Sequence, residues 1–148
     1  MAKHLPTLAG GDKVAGQKLF NEHAVAACMR CHKVGGQGGD AGPALDGIAS
    51  KRDRRYLLES IVNVNAAIPE GFQMVILTKH NGEVLAGLLK KETADELHLE
   101  NPGTPPVTVK KADVKQRDKA PSGMIPNIAD LITPRELRDI IEYVASLR

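Results

Sequence analysis

The feature that most restricts this chain is Cys28-Met29-Arg30-Cys31-His32, which holds both of its cysteines. Two thiols separated by two residues can add to the two vinyl groups of one haem. The adjacent histidine then falls under the iron with an imidazole nitrogen to donate. Other uses of such a pair need partners that the sequence lacks. A zinc site requires a second Cys/His pair; there is no third cysteine, and His4, His23, His80 and His98 show no paired spacing. A thioredoxin-like dithiol ends a strand and opens a long helix. Here a helical pattern precedes the motif and Gly35-Gly36-Gln37-Gly38-Gly39-Asp40 follows it. The motif therefore reads as the attachment site of one covalent c-type haem, with His32 as an iron ligand.

The sixth position of such an iron has Met1, Met29, Met74, Met124 and the four other histidines as candidates. Met29 lies inside the attachment loop on the proximal side and cannot swing to the far face. Met74 falls in a strand-like run, where a place in the core is the plainer reading. Met124 lies in Pro121-Ser122-Gly123-Met124-Ile125-Pro126, a stiff, irregular loop ahead of the last helical pattern. Such a loop can hold a thioether over iron without competing with backbone hydrogen bonds. The competing reading is a methionine that fills a gap. Ligation by Met124 is the expectation, and it would raise the reduction potential relative to a second histidine.

Around this pair, Pro43 is a candidate carbonyl acceptor for the second nitrogen of His32, or else an ordinary turn proline. Tyr56 and Arg55 are candidates to reach haem propionates, Tyr56 being equally suited to a core. Lys51-Arg52-Asp53-Arg54-Arg55 reads as a solvated basic face or as a docking patch for an acidic redox partner.

Residues 1–10 read as a flexible lead-in. Asp12 is a good N-cap, and Val14, Leu19 and Phe20 place a helix over 12–24. Gly16 would let that helix cross the last one closely, near Tyr143 and Val144. Tyr56, Leu57, Ser60 and Ile61 share one face of a helix expected over 53–63. The period then changes. Phe72–Thr78 and Glu83–Lys90 flank Asn81-Gly82, a two-residue hairpin signal. Asp95–Glu100 and Val107-Thr108-Val109 complete four short strands, a small antiparallel insertion at about 72–118. Thr133, Pro134 and Glu136 form a capping box and first turn ahead of the apolar stripe Leu137, Ile140, Ile141, Val144 and Leu147.

Composition narrows the function classes further. The chain has 148 residues, 42% hydrophobic and 26% charged, as in globular proteins. No apolar run approaches the roughly 20 residues that cross a bilayer, so membrane insertion is not expected. A net charge of +2, aromatics of only 3% and no Trp give no reason to expect nucleic acid. A buried porphyrin would supply much of what aromatics usually give a core.

Taken together, Gly16 with Phe20, the Cys28–His32 motif, Gly42-Pro43-Ala44-Leu45, the Met124 loop and an amphipathic last helix resemble a class I cytochrome c domain. More narrowly the chain resembles the haem-binding domain of planctomycete- and verrucomicrobia-type proteins, which ends large exported chains bearing a dehydrogenase-like β-propeller. The stretches that carry this are Gly42–Ile48, Tyr56-Leu57-Leu58-Glu59-Ser60-Ile61, Gly82 with Gly87-Leu88-Leu89, and Met124 with Leu137, Asp139 and Tyr143-Val144. The resemblance spans about residues 11–148. It implies a mainly α, cytochrome c-like fold around one haem, with the β insertion between the third helix and the Met loop. It also implies Met124 as the distal ligand. One departure is that Pro126 does not directly follow Met124.

The expected function is electron transfer by a single haem c with His32/Met124 ligation. No triad, paired carboxylates or phosphate loop is visible, so the chain is not expected to be an enzyme, though a full-length protein could carry a dehydrogenase domain. Electrons would come from a fused or partner dehydrogenase and leave to another cytochrome or an oxidase. The alternative is a peroxidase-like haem enzyme or gas sensor with an open or displaceable sixth position, for which only the dispersed His80 and His98 offer acid/base groups. Met1-Ala2-Lys3-His4-Leu5-Pro6 lacks an export signal, yet c-type attachment takes place outside the cytoplasmic membrane in bacteria. An upstream signal, with this chain a mature or excised piece, would reconcile the two and place it in the periplasm or another extracytoplasmic space.

Overall fold

Two compact units build the structure, a computed structural model that describes all residues 1–148. The first joins Met1–Ala67 to Met124–Arg148, and the second is Ile68–Gly123.

The first unit is helical. α1 (Lys13–Glu22) starts where the Asp12 carboxylate accepts the N–H groups of Val14 (2.8 Å) and Ala15 (3.0 Å). α2 (Ile48–Lys51) is a single turn, and α3 (Arg54–Val62) is capped by Asp53, which accepts the Tyr56 N–H at 2.8 Å. α4 (Pro134–Val144) carries the reciprocal box, with Thr133 Oγ1 accepting from the Glu136 N–H and Glu136 accepting from the Thr133 N–H at 2.7 Å. α1 and α4 cross with almost nothing between their backbones. A Cβ on Gly16 would collide with the Asp139 carbonyl and lie 2.9 Å from the Tyr143 Cβ, so only glycine permits the approach. Beside this crossing the Phe20 and Tyr143 rings meet edge-on, with centroids 5.4 Å apart. The buried Asp139 carboxylate accepts the Asp12 N–H at 2.8 Å. Arg54 adds a forked pair to Glu142 (2.9 and 2.6 Å) and donates to the Leu8 carbonyl. Phe20, Leu58, Leu137, Ile140 and Ile141 form the centre of the core. Residues 2–7 form a 3-10 helix with His4 and Thr7 buried, where the sequence shows no periodic pattern.

The second unit is a sheet of β1 (Met74–Lys79), β2 (Val84–Glu92), β3 (Glu96–Glu100), β4 (Val107–Lys110) and β5 (Val114–Lys119). The strands meander from β1 to β4. A 3-10 turn at Lys111–Asp113 then sends β5 back to pair antiparallel with β1, giving the order β4-β3-β2-β1-β5. Registers such as Leu77 opposite Leu85, Leu89 opposite Leu99 and Leu97 opposite Val109 align one apolar face. No α-helix belongs to this unit, whose buried side chains come from the strands alone. Val75, Leu77, Leu97, Leu99 and Val109 are its core. The β1–β2 loop is wider than the two residues expected, because the Lys79 N–H meets the Glu83 carbonyl at 2.8 Å and ladder pairing resumes at Thr78 and Val84.

The expectation of a mainly α fold is corrected by this sheet. Helix makes up 33% and strand 22% of the chain, and the antiparallel sheet has five strands, so the protein is α and β in comparable parts. The fifth strand, Val114-Lys115-Gln116-Arg117-Asp118-Lys119, escaped the sequence reading because only Val114 is apolar. Its other residues are exposed at the sheet edge, where charged side chains guard against unwanted pairing.

Candidate functional site

The approach to the cysteine motif is a tight turn. His23 ends α1, and the Ala27 N–H donates to the His23 carbonyl at 3.0 Å. Ala27 itself is buried and has φ +26°, unusual for a residue with a side chain. A short 3-10 turn, Cys28–Arg30, follows, and the Cys31 and His32 N–H groups both donate to the Cys28 carbonyl, at 3.1 and 2.9 Å. The glycine-rich segment then folds back on the motif. The Gly39 N–H reaches the Met29 carbonyl (2.9 Å) and the Gly42 N–H reaches the Cys31 carbonyl (2.8 Å).

This return fixes His32. Its Nδ1 lies 2.8 Å from the Pro43 carbonyl, which can only accept, so the proton sits on Nδ1 and the lone pair on Nε2. Gly42 packs flat on the imidazole. A Cβ there would stand 2.6 Å from Cε1 and 2.9 Å from Nδ1, closer than contact allows. Burial pushes the His32 imidazole below the usual histidine value, and the hydrogen bond to Pro43 offsets part of that. Burial thus favours the neutral ring, and the bond to Pro43 leaves Nε2 as the nitrogen available to a metal. Cys28 and Cys31 are free thiols, Cys28 half-buried and Cys31 exposed. Burial drives the Cys28 thiol up to about 11, so it stays protonated at neutral pH.

These residues fit a haem better than a bare ion. No group of three His, Cys, Asp or Glu side chains is arranged to hold a metal ion. Half-buried Cys28, Leu45, Ile48, Tyr56, Ile61 and Met124 instead each pack against the helical core, an apolar setting suited to a porphyrin.

The other candidates fall as follows. Met124 is the residue at which the chain re-enters the helical unit, just before the 3-10 turn Ile128–Asp130. Tyr56 is half-buried on α3, with the Arg52 guanidinium 4.6 Å from its ring centroid, while Arg55 is exposed on the same helix. Met1 and Met29 pack on the helical core, and Met74 lies in β1. His4 is buried with Nε2 3.8 Å from Asp130. His98 pairs across strands with Thr108 (3.2 Å) and approaches Glu96 (3.4 Å), and His80 is exposed. The sequence reading missed two contributors. Gly42 was seen only as part of a turn, and His23 only as an unpaired histidine.

No α-helix of the structure is long and apolar enough to cross a membrane. No curated protein matches the chain. A family model does: that of cytochrome c, over residues 14–95, more than half the chain and the whole of the attachment motif. With the motif, the oriented histidine and that match in agreement, the chain belongs to the cytochrome c family, whose members carry covalently bound haem c and serve haem-based electron transfer.

Proposed function

We propose that the chain is a one-haem electron-transfer module in which Cys28 and Cys31 form the thioethers, His32 is the proximal ligand and Met124 the distal one. When bound, the haem supplies a one-electron ferric/ferrous couple. The protein's part is to hold that couple rigid and shielded. The observation that carries the proposal is the 2.8 Å hydrogen bond from His32 Nδ1–H to the Pro43 carbonyl. It pins the ring, selects the tautomer with a free Nε2 and makes that nitrogen a stronger donor. Met124 supports the distal role by its half-buried place on the same core as Cys28 and Leu45. A thioether there would saturate the iron, leaving no position for a substrate.

Tyr56 and Arg55 are proposed to face the propionates, and the basic stretch Lys51–Arg55 to meet an acidic redox partner. A dehydrogenase, fused or separate, would deliver the electrons, and a cytochrome or oxidase would take them, in the manner of the planctomycete-type haem domains that the sequence resembles. The location would be extracytoplasmic. The test is the ligand state of the purified holoprotein. Thioether peptides at both cysteines and a ferrous form inert to carbon monoxide are expected. Rapid carbon monoxide binding would favour an open iron and a haem enzyme or gas sensor instead.

A further inference from the structure

His23 organises the backbone that leads into the attachment site. Three consecutive N–H groups, those of Val25, Ala26 and Ala27, are satisfied by this one residue. Its carbonyl takes Ala27, and its ring Nδ1 takes Val25 (3.1 Å) and Ala26 (3.0 Å). Nδ1 can accept only if it carries no proton, so the proton of the neutral ring is on Nε2. That nitrogen points to Glu136 Oε1 at 3.5 Å, the carboxylate already engaged in the α4 capping box. The side chain is only 15% exposed. The turn it organises ends in the positive-φ residue Ala27, a conformation that costs energy and persists only where its surroundings enforce it. Cys28 is the next residue.

We infer that His23 is a positioning residue for haem attachment: its Nδ1, acting as a backbone acceptor, holds the 23–27 turn so that the Cys28 thiol is presented to the haem vinyl group. The step it serves is redox-neutral. The Cys28 S–H adds across the vinyl double bond, sulfur bonding to the carbon nearer the ring and the thiol proton ending on the outer carbon. His23 takes no part in that chemistry and acts only through the position of Cys28. The inference rests on the thioether assignment made above, but not on Met124.

The test combines substitution with a side-chain mimic. Asparagine places an amide oxygen close to where Nδ1 stands, whereas glutamine reaches toward Nε2. His23→Ala is expected to lower the share of holoprotein bonded through Cys28 by roughly tenfold (about 1.4 kcal/mol), the scale of one to two lost hydrogen bonds. The species that accumulates should be bonded through Cys31 alone, seen in peptide mass spectra and as a red-shifted α band of the ferrous pyridine complex. His23→Asn should restore most of the double attachment, and His23→Gln should not. Nitrogen chemical shifts of the His23 ring should report the Nε2–H tautomer. Wild-type attachment in His23→Ala would overturn the inference, as would an Nδ1–H tautomer or an asparagine variant as defective as alanine. Loss of the ring's packing would strike alanine and asparagine alike, so rescue by asparagine assigns the effect to the Nδ1 acceptor. A wild-type protein with no thioether at Cys28 would instead refute the attachment reading itself.

Discussion

At the residue scale the site depends on contacts of one or two atoms. The His32 ring lies against Gly42 and is tied to the carbonyl of the following proline. Adding a methyl group in Gly42→Ala forces the ring or the loop aside. Overpacking of this kind costs about 1–3 kcal/mol, and urea unfolding of the ferric holoprotein should register a loss of that size; an unchanged midpoint would show that the loop yields freely. The roles of Cys28, Cys31 and His32 could be read from spacing because thioether chemistry requires that spacing. Pro43 could be proposed from its spacing after the motif, but its distance to Nδ1 could not. The duty of His23 was invisible for a physical reason. A ring nitrogen that accepts backbone N–H groups two and three residues ahead leaves no pattern in hydrophobicity or spacing. The one sequence hint was the lack of any Ser, Thr, Asn or Asp in Ala24–Ala27 to cap the turn into the motif.

At the scale of elements, local signals and structure agree wherever a helix has its own cap. Asp12, Asp53 and Thr133 each accept the N–H groups of the turn that they begin. Thr133→Ala should destabilise the protein by about 1 kcal/mol, a loss measurable in denaturant. The same box carries a pH signature. The Thr133 N–H, followed by its hydroxyl, holds the Glu136 carboxyl below its ordinary value of 4.5. A carboxyl depressed in the folded state contributes stability that is complete above that ordinary value and fades as pH falls through the folded one. Thr133→Ala keeps the N–H and removes only the hydroxyl. The wild type should therefore lose stability slightly more steeply than the variant below about pH 4.5, and a steeper loss in the variant would refute the coupling. Strands were harder to read than helices. β1 to β4 carry alternating or β-branched residues, but β5 is defined by its pairing with β1, a contact some 40 residues away in sequence that no local pattern records. That hidden strand is one reason the sheet was read as smaller than it is.

At the scale of the molecule, the chain divides its labour. Every residue proposed to hold the haem belongs to the helical unit, and the sheet has a core of its own. The chain enters and leaves that sheet at neighbouring points. The Ala120 N–H donates to the Met74 carbonyl at 2.9 Å, and Gln73 Nε2 spans the Met74 and Ala120 carbonyls at 2.8 and 2.9 Å. Replacing residues 74–120 by a short flexible linker should therefore still yield protein with both thioethers. Loss of covalent haem in that variant would make the sheet part of the haem fold. If haem is kept but electron uptake from a dehydrogenase falls, the sheet serves docking. The central claim, an iron held by His32 on one side and Met124 on the other, is tested most directly by the near-infrared charge-transfer band that marks methionine–iron ligation in ferric cytochromes. The band is expected in the wild-type ferric protein and should vanish in Met124→Ala, whose ferrous form should then take up carbon monoxide. A wild-type spectrum without the band, or a variant spectrum that keeps it, would contradict the claim.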